Sequence, residues 1–227
     1  MSRVVQQALD RFFYFGMALL LGAIVVYGFS HTVGDSLIHP DVAPPPIFYV
    51  HAIVFASWVV LFIVQSGLVR SASVRLHRRL GTFGVVLGGL VPILGVATAA
   101  TSQQSATSHV FFAVSLNDML LFATAFWLAI YWRREPEFHR RLMLIGTCGL
   151  MGAALARFPF VPGIPWAYGG IDLLILLGAL RDLAVQGRVH VVYRYALPCV
   201  MAGQALALYL LFARPQVWVN ILHLIFK

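Results

Sequence analysis

Seven apolar stretches follow one another along this chain, at about 12–30, 47–69, 80–100, 110–132, 142–160, 168–183 and 196–213. Crossing a hydrocarbon core takes roughly 20 apolar residues per helix. Backbone polar groups within lipid must be satisfied inside the segment, so stretches of this length fold as helices. The expected fold is therefore an all-α membrane protein of seven transmembrane helices, the sixth short, forming one integral membrane domain over 1–227 with a core bundle at about 47–160. A mean hydropathy of +0.86, with 60% hydrophobic and 11% charged residues, separates the chain from soluble domains.

The basic residues fall on alternate connections. Arg3 and Arg11 precede the first span; Arg70, Arg75, Arg78 and Arg79 follow the second; Arg133, Arg134, Arg140 and Arg141 follow the fourth; Arg181, Arg188 and Arg194 follow the sixth. The positive-inside rule then puts the N-terminus in the cytoplasm and the C-terminus outside, in a bacterial inner membrane. The net charge of +8 reads as topology and attraction to anionic lipid, with no basic groove interleaved with aromatics for nucleic acid. The first segment runs on too long for a cleaved signal peptide and reads as a retained anchor.

Two nearly identical phrases, Leu76-His77-Arg78-Arg79-Leu80 and Phe138-His139-Arg140-Arg141-Leu142, each end a connection and open an apolar run. Helices 2 and 3 carry His51 and His77; helices 4 and 5 carry His109 and His139 in the same order. The two hairpins read as an internal repeat. His51 and His109 fall at a similar outer depth, and His77 and His139 at a similar inner depth. Facing histidines in a four-helix core are suited to axial ligation of a haem iron, one site per leaflet. The competing reading makes them interfacial residues beside lipid phosphates.

His190, on the inner face, is a possible third ligand, so zinc, copper or non-haem iron bound without a porphyrin stays open. His31, His39 and His223 read as solvated or structural. Helix 2 sets His51, Trp58 and Gln65 on one face, seven residues apart. On helix 3, Gly81, Gly84, Gly88 and Gly95 leave a smooth face for close packing or a flat macrocycle.

Charges inside the membrane tend to be functional. Arg157 and Asp172 are expected at one outer depth, as an ion pair or as a clamp for a propionate or an anionic headgroup. Asp118 points away from His109 and either bonds a neighbouring helix or relays protons. Cys148 and Cys199 lie within spans and read as small packing residues. No CxxC or CxxCH occurs, which argues against zinc ribbons and covalent haem. The lone lysine, Lys227, offers no buried amine for a retinal Schiff base.

The phrases at 77–81 and 139–143, with Arg157 closing the second helix, resemble an uncharacterised family of small bacterial multi-pass membrane proteins over about 48–195. More distantly, the histidine placement on helices 2 with 4 and 3 with 5 is similar to the transmembrane di-haem cytochromes b. That likeness implies haem b, with His51 and His109, and His77 and His139, as four axial ligands, and electron transfer across the membrane. The histidines lie nearer the surfaces than in that family, and no donor-binding motif is present. With no soluble domain for NADH or flavin, a quinol, a small reductant or a partner chain would supply electrons. Two other classes stand beside it. A metal-dependent enzyme acting on lipid would need an HxxxH or HExxH pairing, which is absent. An accessory subunit of a larger respiratory or photosynthetic complex would need no site of its own.

Overall fold

The computed structural model describes residues 3–40, 43–102 and 111–226. Among these residues the chain is helical, with no strand. The helices are α1 Arg3–Ser30, α2 Pro46–Arg70, α3 Val74–Thr101, α4 Phe112–Tyr131, α5 Pro136–Gly149, α6 Gly152–Leu155, α7 Ile164–Gln186, α8 Val191–Ala213 and α9 Gln216–Ile225, with a π-helical turn at Gly34–Ile38 between α1 and α2.

Local chemistry sets the ends. Pro46 opens α2 after an extended Pro45, and Pro136 and Pro165 stand in the first turns of α5 and α7, where a missing N–H costs nothing. Gly187 ends α7 in the left-handed region at φ +69°, a conformation glycine adopts without strain.

Five segments are long and apolar enough to cross a membrane: Leu9–Ser30, Pro46–Arg70, Val74–Thr101, Phe112–Tyr131 and Val191–Ala213. Their outward faces are apolar: Val26, Val86 and Ile93 are each more than 60% exposed. Such a surface fits lipid and not water, and the chain is a multi-pass membrane protein.

The packing order puts α5 in the middle. α1 packs on α2, α2 on α3, α3 on α4, α4 on α8, α8 on α7 and α7 on α1, while α5 touches α1, α4, α7 and α8. Eight of its fourteen residues are buried. Burial of this kind is what a central helix needs, because it has no lipid-facing side.

The stretch expected as one helix over 142–160 is broken. α5 stops at Gly149, turns through Leu150 and Met151, and resumes as the single turn α6. The Thr147 hydroxyl donates to the Met143 carbonyl at 2.8 Å, a side-chain bond that loosens a helix, and glycines flank the turn. Gly146, Gly149 and Gly152 lie against Ala125, Leu121 and Asp118 of α4, so a ridge of small residues lets the two elements approach closely. At the same level Gly28 of α1 lies against the Ala154 backbone.

Other boundaries shift outward. α1, α3 and α8 begin earlier than the apolar runs that announce them, because a helix continues past the hydrocarbon into its polar flanks. The tail beyond 213 forms α9, whose Leu222 packs with Ala99 and Phe112 at the ends of α3 and α4.

Candidate functional site at the His77 and His139 end of the bundle

One end of the bundle collects the ends of α1, α2, α5, α7 and α8. Arg70 lies over the Phe12 ring at 4.1 Å, Arg140 over Tyr14 at 4.9 Å, and Arg181 pairs with Asp10. Arg70, Arg140 and Arg181, from three different connections, thus gather at this end.

His77 and His139 meet there. Their ring centroids are 6.3 Å apart and the planes cross at 84°. His77 sits in the first turn of α3, where Gln65 of α2 donates to its carbonyl at 3.2 Å. His139 sits in the first turn of α5, and its Nδ1 donates to the Ala129 carbonyl of α4 at 2.9 Å. A carbonyl can only accept, so this bond fixes the proton on Nδ1 and leaves Nε2 its lone pair. The Nδ1 of His77 is buried with no partner.

A metal–imidazole bond of roughly 2 Å plus roughly 1.1 Å from ring nitrogen to ring centre places two axial rings roughly 6.2 Å apart. The observed separation is of that length, and it is also the length of an edge-to-face contact between two rings. The carbonyl behind His139 is the partner that ligating histidines ordinarily have.

Of the other predicted ligands, His51 and His190 do not join this pair. His51, on α2, stacks on Phe55 at 4.0 Å, near the Leu94 backbone of α3, with its Nδ1 buried and unpartnered. His109 and the polar stretch 103–108 lie outside the described residues. His190 is the N-cap of α8: its Nδ1 accepts from the Val192 N–H at 3.3 Å and its ring meets Phe138 edge-on at 4.9 Å. Among the described residues no three His, Cys, Asp or Glu side chains gather as a metal cage. A three-histidine inner site is therefore not formed, because His190 is engaged in capping.

Arg157 and Asp172 do not pair. The Arg157 guanidinium donates to the Ala153 carbonyl at 2.6 Å and lies 4.4 Å over the Phe29 ring. Arg157 is held by its own turn and by α1, which turns it away from α7. Asp172 faces Gln204 of α8 and has one carboxylate oxygen buried without a partner. The glycine face of α3 is filled by protein: Leu61 against Gly84, Trp58 and Phe126 against Gly88, Met119 against Gly95. Those glycines serve packing, and Trp58, Phe122 and Phe126 close the middle of the α2–α4 core.

Beside the histidines lies a charge network that the sequence pattern placed in loops. Arg141 is fully buried. Its guanidinium grips Asp182 of α7 in two parallel bonds, Nε to Oδ2 at 2.7 Å and a terminal nitrogen to Oδ1 at 2.6 Å, and donates to Glu137 at 2.7 Å. Arg181 donates to the same Asp182 at 2.9 Å, and Arg140 donates to Glu137 at 2.7 Å. Three arginines thus face three carboxylates, Asp10, Glu137 and Asp182. The signal that finds them in the sequence is the acidic partner: Glu137 is one helical turn before Arg141, and Asp182 is next to Arg181.

No protein-family model matches the chain, and no curated protein or solved structure is similar to it.

Proposed function

We propose that this protein is a bacterial inner-membrane electron carrier that binds haem b between His77 and His139, with quinol or a partner complex as the redox counterpart. The carrying observation is the histidine pair, 6.3 Å apart and perpendicular, with His139 anchored through Nδ1. A bare zinc or copper site needs three or four protein ligands, whereas a haem needs only two axial ones. A two-histidine pair with no third donor gathered beside it among the described residues favours the macrocycle. The haem would supply a one-electron couple. The protein's residues would position the imidazoles, exclude water and place cationic arginines at the rim.

In the same reading the arginine-rich end is cytoplasmic. α5–α6 and α7 complete seven spans, the hairpins α2–α3 and α4–α5 descend from one repeated unit, and His51 with His109 ligates a second haem.

The test is the visible spectrum of protein purified in mild detergent, before and after dithionite, with total metal on the same sample. A Soret band and sharpened reduced α and β bands are expected. Replacement of either His77 or His139 by Ala removes the inner haem while leaving any outer haem in place. A colourless protein, or variants with unchanged haem content, would contradict the assignment.

A further inference from the structure

Asp118 is the one carboxylate in the span Phe112–Tyr131, and the spans Pro46–Arg70, Val74–Thr101 and Val191–Ala213 contain none. It is the seventh residue of α4, roughly 9 Å inside the helix by its rise. The groups that face it are uncharged. The Asn117 Nδ2 donates to its Oδ1 at 3.2 Å, and the Tyr168 hydroxyl of α7 reaches the same carboxyl. At the α5–α6 break Gly152 lies against its Oδ2, where a β-carbon would stand 3.2 Å away. Among the described residues α3, α5 and α8, which also pack on α4, turn no charged side chain toward it. Arg157, which follows α6, lies over Phe29 of α1, and Asp172, one turn beyond Tyr168, faces Gln204 of α8.

Two features set this carboxyl apart from a packing contact. An ionised carboxylate inside a membrane is costly without a cation, and residues kept there serve ions or protons. The neighbouring helix is also broken at its level, and broken helices inside membranes accompany such sites. The ligand is chosen by the oxygens at hand. Beside the carboxyl stand one hydroxyl and one amide, fewer oxygens than the roughly six a hard cation takes. A proton needs one acceptor. The Tyr168 hydroxyl accepts the second Asn117 N–H at 3.3 Å, which leaves it a proton to give to a carboxylate and a lone pair to offer a carboxylic acid. The same neighbour therefore serves the group in both forms, as an exchangeable proton requires.

From this arrangement we infer that Asp118 is a proton-exchange site inside the membrane, with Tyr168 as its hydrogen-bond partner in both forms. The proton joins a carboxylate oxygen from water and returns to water, and Gly152 leaves room for the carboxyl. The site does not rest on the haem assignment: Ala129, whose carbonyl holds His139, is eleven residues further along α4, roughly 16 Å away by helical rise.

The experiment is infrared difference spectroscopy of the full chain in phosphatidylcholine vesicles, between acidic and alkaline buffer. A component of the carboxylic-acid C=O band is expected in the acidic sample, shifted in deuterium oxide and lost in Asp118→Asn, which conserves the side chain's shape. A hydrophobic carbodiimide, which adds to protonated carboxyls, gives a second measurement on the unaltered chain. Peptide mass spectrometry should find the adduct on Asp118, at least tenfold less in the alkaline sample. The same difference spectrum in the parent and in Asp118→Asn would overturn the site. So would labelling of Asp118 that is absent, or equal in both buffers, which would leave a fixed structural contact. These measurements report on Asp118 and the haem spectrum on the histidines, so either proposal can fail alone.

Discussion

Replacing Asp182 by Asn removes the centre of the buried charge network at almost no change in volume. Asp182 is fully buried and accepts three charge-assisted bonds, two from Arg141 and one from Arg181. An amide offers one oxygen where the carboxylate offered two, and turns N–H groups toward a guanidinium that can only donate. Removing one partner of a buried ion pair costs about 3–5 kcal/mol, chiefly because the other charge is left uncompensated. Arg141 keeps Glu137, and Arg181 keeps Asp10, so the expected loss is near the lower limit, about 3 kcal/mol. Against a total stability of about 5–15 kcal/mol that loss is large. Reversible unfolding in mixed micelles, with Arg141→Met and the double variant to close a cycle, would measure it. The double variant should lose less than the sum of the single ones. A loss under about 0.5 kcal/mol for Asp182→Asn, the size of an ordinary surface change, would refute the claim that this network holds α5 to α7.

Gly28→Ala should destabilise by about 1–3 kcal/mol, because the added methyl meets the backbone of Ala154, which cannot rotate aside; thermal unfolding measures it. His190→Ala should cost about 1 kcal/mol through loss of the α8 cap and leave haem content unchanged, which separates capping from ligation. Glu137, in the first turn of α5, has a pH signature. Burial pushes its carboxyl up, but the hydrogen bond from Arg141 and the charges of Arg140 and Arg141 outweigh this and hold it below its ordinary value of 4.5. Its contribution to stability is complete above that value and is lost as the pH falls toward the folded-state value. Glu137→Gln should flatten the acid limb of the stability profile between those two values.

The all-helical, membrane-spanning character was legible because it follows from composition along the chain, although five of the described helices, and not seven, are long and apolar enough to cross a membrane. Hydrophobic run length sets a span. His77 and His139, each near the start of an apolar run after an arginine-rich connection, do lie close together. What was not legible depends on lateral packing, which hydropathy does not encode. Arg141 reads as a loop residue by its neighbours, yet lies at the centre because α5 is the central helix and Asp182 faces it. Arg157 and Asp172 match in depth but not in direction, since Arg157 bonds its own helical turn. His190 shares a depth with the pair and is spent on a cap.

The most direct measurement on the central claim is the low-temperature EPR spectrum of the oxidised, purified protein. Two imidazoles crossing at 84° on one ferric iron should give a strongly anisotropic low-spin signal, lost in His77→Ala and in His139→Ala. A protein with no ferric haem signal, or variants whose low-spin spectrum is unchanged in shape and in haem per protein, would contradict ligation by this pair.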